Sequence, residues 1–342
     1  IYDESKYARE ISKYIGTNHH EWIINENEIL NYIPNINRFY DEPFADSSQL
    51  PTLLITKFAS QKVTVCLTGD AGDELFGGYN RYTFGPKIYN FINSYPNTAK
   101  MISKIITNTR TYNWKTIIDL FQKMIPAKYN LVNPAEKLLK LNEILNCSSE
   151  YEVYEKLVSI WKQNILLNEN FCDNNIDLSA QFMNRASNFA DRMMIEDINT
   201  YLTDDILVKV DRASMANSLE TRSPFLSEKI ALFSQKMPLE MKINSFGQGK
   251  RILRDILEKY IPRNLIDRPK AGFGIPIDGW LKTTLKDWAL DQLSETKIKN
   301  EGIFDYEQIK NVCDLHYEDK INYHHQLWNI LMFQSWLDGE KS

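Results

Sequence analysis

Val63-Thr64-Val65-Cys66-Leu67-Thr68-Gly69-Asp70-Ala71-Gly72-Asp73-Glu74-Leu75-Phe76-Gly77-Gly78-Tyr79 sets the architecture of this chain. An apolar, β-branched run from Val63 to Leu67 passes into a turn of small and acidic residues and then into a second apolar group. That is the pattern of a buried strand, a tight turn and a helix start. Ligands of open α/β sheets sit outside the carboxyl ends of the strands, where this turn falls. Gly69 and Gly72 let a backbone approach a phosphate closely, and the free N–H groups of a helix start favour an anion. Asp70, Asp73 and Glu74 would repel a bare phosphate, so the combination suits a polyphosphate bridged to carboxylates by Mg²⁺. The alternative is an acidic turn in which Asp70 caps the helix and Asp73 completes a capping box. Spacing alone leaves both open. The stretch lacks the G-K-[ST] of a Walker loop and the G-x-G-x-x-G of a dinucleotide fingerprint.

Upstream, Tyr7, Ala8, Ile11, Tyr14 and Ile15 recur at helical intervals, predicting a helix from Glu4 to Ile15 that Gly16 ends. His20 to Ile24 reads as a short strand, Asn25 to Phe39 as a helix broken near Pro34, and Asp41 to Pro51 as a polar loop. Leu53, Leu54, Phe58 and Ala59 mark a further helix. Strands alternating with helices imply a sheet of the α/β class. From about Tyr89 the strand signals fade. The expected division is therefore a partial α/β, nucleotide-binding part over 1–88 and a mostly helical remainder over 89–342. Within the latter, 223–226, 244–249 and 269–276 read as loops or turns. His316 to Leu337 reads as one helix facing the core through Leu327, Trp328, Leu331, Met332 and Trp336.

The 342 residues carry 40 Lys plus Arg against 45 Asp plus Glu, a formal charge of −5, and 43% are hydrophobic. Such a composition excludes a disordered tail, a collagen-like repeat and a basic nucleic-acid binder. No run of about 18 apolar residues occurs, so no membrane span is expected. Four cysteines lie scattered without C-x-x-C spacing, a reducing-compartment pattern that predicts a cytoplasmic protein. Cys66, inside the apolar run, reads as a small buried hydrophobe. The pairs His19-His20 and His324-His325 do not suggest zinc, because adjacent side chains point apart and no further ligand lies at metal spacing. His19-His20 reads as a strand start.

Six ordered blocks resemble the synthetase domain of glutamine-hydrolysing asparagine synthetases: Asp41-Glu42-Pro43-Phe44-Ala45-Asp46-Ser47-Ser48, Thr68 to Tyr79, Leu207 to Met215, Leu219 to Leu226, Gly249-Lys250-Arg251-Ile252-Leu253-Arg254, and Lys270-Ala271-Gly272-Phe273-Gly274. The resemblance implies the adenine nucleotide alpha-hydrolase-like (PP-loop ATPase) fold, a parallel sheet here lacking its first strands and followed by a mostly helical region. It implies ATP and Mg²⁺ as cofactors. Aspartate would be adenylated to β-aspartyl-AMP with release of pyrophosphate. Ammonia, drawn from glutamine by a separate N-terminal domain, would then displace AMP to give asparagine. By this match Thr68, Gly69, Asp70 and Gly72 contact the nucleotide or pyrophosphate, and Asp73 ligates the metal. Asp70 and Lys250 are the catalytic pair, Asp70 tied to the acyl-adenylate step and Lys250 stabilising negative charge. Asp46, Ser47 and Ser48 fall in the region associated with the acid substrate. Arg222 could bind a carboxylate through its planar fork or form an interior salt bridge. A homodimer is a further possibility, with no nucleic-acid or membrane partner.

The sequence departs from the family at three points. Thr68 replaces the usual Ser, and Ala71 a common Gly, where alanine would resist a positive φ. Ser227 stands where Asp is usual. The resemblance also implies an S-G-G-x-D-S turn, yet the sequence has glycine pairs only at Gly77-Gly78. In the family, Tyr2-Asp3-Glu4 follows the second strand, so two strands are expected upstream, lying between His20–Ile24 and Val63–Leu67. These two should then not pair, the latter should keep an open edge with exposed apolar surface, and the chain alone should make no asparagine. Competing expectations are an amidotransferase acting on another carboxylate, such as a polysaccharide uronic acid or a β-lactam precursor, and a non-catalytic helical interaction module.

Overall fold

A computed structural model describes residues 4–108, 134–161, 167–168, 179–266 and 274–341. Strand β1 (Val65–Leu67) is shorter than the apolar run that predicts it, and it pairs in parallel with β2 (Glu220–Arg222), in register Val65–Glu220, Cys66–Thr221 and Leu67–Arg222. The Glu220 N–H donates to the Thr64 carbonyl and the Thr68 N–H to the Arg222 carbonyl, both at 2.9 Å. The neighbour of β1 is thus a polar segment more than 150 residues downstream.

Residues 17–25 form no strand, so the strand expected at His20–Ile24, with its start at His19-His20, is corrected. A strand needs a ladder partner, whereas this segment is tied to the preceding helix by side chains, Arg9 Nε donating to Glu21 Oε2 at 2.7 Å. No ladder joins it to β1, and among the described residues β1 has no strand on its other edge. Burial of the run is corrected too: Val65 is 50% and Leu67 74% exposed, and Cys66 is half-buried. A continuous apolar run signals a strand covered on both faces, and the described residues do not supply that cover.

Other local expectations hold in part: 223–226, expected as a loop, includes a 3-10 helix, Pro224–Leu226, and the polar loop expected from Asp41 to Pro51 ends where a helix starts at Gln49. The first helix is Ser5–Ile15, closed by Gly16 at φ 77° with its N–H on the Ser12 carbonyl. The Asn25–Phe39 segment breaks into an α-helix, Glu26–Leu30, and a 3-10 helix, Ile33–Phe39, that begins beside Pro34. Gln49–Ser60 is helical with Leu50, Leu53 and Leu54 buried. Asn244–Gly249 is a loop. The turn expected at 269–276 lies, through 273, outside the described residues. At the C-terminus the single helix expected from His316 becomes two, Tyr306–Tyr317 and His324–Glu340, separated by a turn in which Asp319 takes φ 57°. His324 and His325 do not point apart: their ring centroids are 3.9 Å apart, because His324 Nδ1 turns back to Asn322 Oδ1 at 2.9 Å.

Two compact units, each discontinuous in sequence, divide the chain: Ile1–Asn80 with Met194–Ile277 and Trp328–Ser342, and Arg81–Met193 with Asp278–Leu327. The second includes the helices Arg81–Ser94, Pro96–Asn108 and Glu150–Val158. Ser149 caps the last of these by accepting from the Glu152 N–H, and Phe182 stacks on Tyr154 with centroids 5.3 Å apart. The first unit holds β1, β2 and the Gln49–Ser60 helix. That helix packs on Leu207–Met215, with the Thr56 hydroxyl donating to the Ala213 carbonyl at 2.9 Å and Asn217 Nδ2 reaching the Leu53 carbonyl at 3.2 Å. Leu207–Met215 continues directly from a π-helical stretch, Ile198–Ile206, a rare conformation that often accompanies functional sites.

Candidate functional site

The turn after β1 is held in an unusual conformation. The helix that follows it, Gly72–Phe76, begins from Ala71 at φ 67° with no side-chain cap. The capping-box alternative is therefore not realised: Asp70 does not cap this helix. Alanine in the left-handed region costs about 1 kcal/mol, and the fold overdetermines it. Ala71 is buried in a cluster with Leu75, Phe76, Leu202, Ile206 and Met237, while Ser223 Oγ donates to the Asp70 carbonyl at 2.7 Å. Phe225 covers the inner side, 3.2 Å from where a Cβ on Gly72 would stand and 5.7 Å, edge on, from the Phe76 ring. A Cβ on Gly69, by contrast, would meet nothing within 4 Å. The turn is packed from behind and open in front, which suits a ligand that approaches the backbone.

Lys250 reaches this turn from a second loop. Asn244 organises that loop by accepting at Oδ1 from the N–H groups of Phe246, at 3.1 Å, and Gln248, at 2.8 Å. Its end is pressed against Gly77-Gly78: a Cβ on Gly249 would lie 1.9 Å from the Gly77 carbonyl oxygen, and one on Gly78 would lie 1.8 Å from Asp73 Oδ1. Gly249 needs glycine because the atoms it would meet are backbone, whereas at Gly78 a Cβ would displace the Lys250–Asp73 pair itself. The Lys250 N–H then donates to the Phe76 carbonyl at 3.0 Å, and its φ of 58° turns the side chain back, so that Nζ meets Asp73 Oδ2 at 2.8 Å. These two predicted residues, 177 apart in sequence, are in contact and about one-third exposed. Mg²⁺ is commonly held by one or two carboxylates together with substrate phosphates. No group of three or more His, Cys, Asp or Glu able to hold a metal occurs among the described residues, so the residues present would suit Mg²⁺ only in that shared form, for which Asp73, with Lys250 on its Oδ2, is the carboxylate at the turn.

The residues expected to face the acid substrate form a second cluster. Asp46 accepts from the Ser48 N–H at 2.9 Å, from Ser48 Oγ at 2.8 Å and from Lys209 Nζ at 2.5 Å. Asp205 lies one helical turn before Lys209, its Oδ1 3.9 Å from Nζ. Burial pushes the Asp205 carboxyl up to about 7, helped by the neighbouring Asp46 charge. Burial also acts to raise Asp46, but the Lys209 ammonium and the Ser48 N–H outweigh it and hold that carboxyl below its usual range. Ser47 is half-buried beside them. Arg222 is exposed at the end of β2 and pairs with Glu220 at 2.7 Å, so the interior salt bridge is corrected to a surface pair.

Sequence reasoning missed the Lys209–Asp205 half of the second cluster. It also grouped Glu74 with the phosphate-facing carboxylates, and this is corrected: Glu74 is buried under the turn and accepts from the Tyr79 hydroxyl at 2.6 Å, and burial raises its carboxyl above the ordinary range. The signal available for Lys209 was its four-residue spacing from Asp205, which on a helix usually marks a solvated pair.

Comparison with known proteins accords with this geometry. The family described as asparagine synthase matches residues 1–338. The chain belongs to the asparagine synthase family. It is 27% identical over 338 residues to asparagine synthetase [glutamine-hydrolyzing] 1 of Bacillus subtilis (strain 168), covering 98% of this chain and 50% of that protein. It is 26% identical over 325 residues to a putative asparagine synthetase [glutamine-hydrolyzing] of Mycobacterium bovis, covering 94% and 46% respectively. A putative asparagine synthetase [glutamine-hydrolyzing] 2 of Methanocaldococcus jannaschii is 31% identical over 214 residues, covering 63% and 38%. The chain thus spans about half the length of the curated relatives it matches. As an asparagine synthase family member it is mostly helical with a small parallel sheet, and among the described residues no helix is long and apolar enough to cross a membrane.

Proposed function

We propose that the chain is the synthetase part of an ATP-dependent amide-forming ligase of the PP-loop type that converts aspartate to asparagine. The observation that carries this reading is the contact of Lys250 with Asp73 beside the open face of the Thr68–Gly72 turn. In the first step an oxygen of the aspartate β-carboxylate attacks the α-phosphorus of ATP, and the bond to pyrophosphate breaks. In the second, the nitrogen of ammonia attacks the acyl carbon and AMP leaves with the carboxylate oxygen; the surplus proton passes to solvent or a nearby base.

Thr68, Gly69 and Gly72 present backbone to the polyphosphate, and Asp70 stands next to the acyl phosphate. Lys250 leaves Asp73 and moves its charge to the departing pyrophosphate, where a fixed cation in a partly dry site lowers the barrier by about 3 kcal/mol. Mg²⁺ on Asp73 would neutralise the phosphate oxygens when bound. Asp46, Ser47 and Ser48 contact the amino-acid substrate, and Arg222 stands at the rim for a carboxylate. The chain by itself, without the remainder its relatives possess, makes no asparagine.

The test is ATP–pyrophosphate exchange by the full-length protein over a panel of acids. Aspartate should drive exchange, and uronic acids and β-lactam precursors should not. Exchange driven by one of those others and not by aspartate would reassign the substrate; exchange with none would end the ligase reading.

A further inference from the structure

Asp205, at the end of the π-helical stretch, and Lys209 and Arg212, in the helix that emerges from it, are spaced four and three residues apart along one face. That face is clamped to the loop before the Gln49–Ser60 helix at two places, Lys209 to Asp46 and Arg212 to Asp41. The two clamps differ. The Arg212–Asp41 pair is open to solvent, with Asp41 78% exposed, whereas Lys209 is 12% and Asp46 18% exposed.

The inner clamp also contains one carboxyl too many. A single ammonium faces two carboxyls, and ionising both at close range in a largely dry site is disfavoured. The donors are divided unequally. Asp46 receives Lys209 Nζ, the Ser48 N–H and the Ser48 hydroxyl. Asp205 receives none of these donors, its Oδ1 having no hydrogen-bond partner, and its carboxyl is hydrogen-bonded to that of Asp46. Asp46 is therefore the ionised member, and Asp205 keeps the proton. The other titratable group facing the pair is Tyr40, whose hydroxyl stays neutral because burial and both carboxylates push its ionisation far up.

We propose that Asp205 is a positioning residue for the Asp46–Ser48 turn, acting through its hydrogen bond to Asp46 and through Lys209. While Asp205 is protonated, it donates to Asp46, Lys209 belongs to Asp46 and the turn is fixed through both Ser48 bonds. When the proton leaves, the carboxyl–carboxyl bond is lost, the ammonium is drawn between two charges and the turn loosens. The carboxyl's position near neutrality puts this transition in the working range. The consequence for substrate rests on the reading that this turn contacts the amino-acid substrate; the turn's own response does not.

The experiment has two arms on the full-length protein and its Asp205→Asn variant, whose amide keeps the shape of the protonated acid. In the first, the hydrogen-exchange protection factor of the Ser48 N–H is followed from pH 6 to pH 8. The wild type should lose about tenfold in protection, the scale of a local opening, and the variant should lose none. Equal pH dependence in both, or none in the wild type, overturns the proposal. In the second arm the KM for aspartate in ATP–pyrophosphate exchange should rise with pH in the wild type at unchanged kcat, and stay at its low-pH value in the variant. A KM that rises equally in the variant also overturns the proposal. A Ser48 result as expected, together with no aspartate-dependent exchange in the wild type, sustains the positioning role and overturns the substrate reading instead.

Discussion

Two lysine–aspartate pairs in the first unit have similar lengths and opposite designs. Lys250–Asp73 is about one-third exposed, sits on a backbone forced into two left-handed residues, and has open space in front of Gly69. Lys209–Asp46 is mostly covered and supported by Ser48, and a second carboxyl stands behind it. An exposed pair contributes little to stability and opens at little cost. A covered one is costly to break from one side, because the remaining charge stays buried. On the proposed function the first is suited to exchange its partner for a ligand, and the second to hold a loop still.

Removing the inner cation should have the largest effect. Lys209→Met leaves Asp46 without its counter-charge, and urea unfolding should register a loss of about 3 kcal/mol. Next, Lys250→Ala should lower the exchange rate by about 100-fold, while its melting temperature stays within about 1 °C of wild type, as expected for a partly exposed pair. A large fall in melting temperature on losing Lys250, or none on losing Lys209, would break the contrast.

Smaller effects sharpen it. Ala71→Gly relieves a left-handed alanine and should stabilise the fold by up to about 1 kcal/mol in the same urea assay. Asp205→Asn sharpens it through pH dependence. In the fold this carboxyl ionises only at about 7, whereas in the unfolded chain it does so near 4. Between those values the folded state holds the extra proton, so stability falls as pH rises through that window and then levels off. The variant lacks this term, so its melting temperature relative to wild type should climb between pH 4 and pH 7 and then stay constant.

The Ser5–Ile15 helix, its Gly16 cap and the loop at Asn244–Gly249 were legible because each is specified by neighbouring residues. The importance of the Thr68–Gly72 turn was legible from its composition, but its link to Lys250 came only from the resemblance to a family. Strand β2 was not legible. Glu220-Thr221-Arg222 has no apolar alternation, and only its parallel register with β1 makes it a strand. The apolar run by itself reads as a buried strand, because it reports what a strand is suited to and not what covers it; the exposure of Val65 and Leu67 accords instead with the open edge that the resemblance implies. Lys209 escaped notice because its partner Asp46 is 163 residues away, beyond any local pattern.

The central claim, that the turn beside Lys250 and Asp73 serves adenylation of a carboxylate, is tested most directly by isotope transfer. Full-length protein would be given aspartate labelled with ¹⁸O in the β-carboxylate, together with ATP and ammonia. The account predicts asparagine with one label retained and one label in the phosphate of AMP. Label in inorganic phosphate or pyrophosphate, or amide formation with unlabelled AMP, would contradict it.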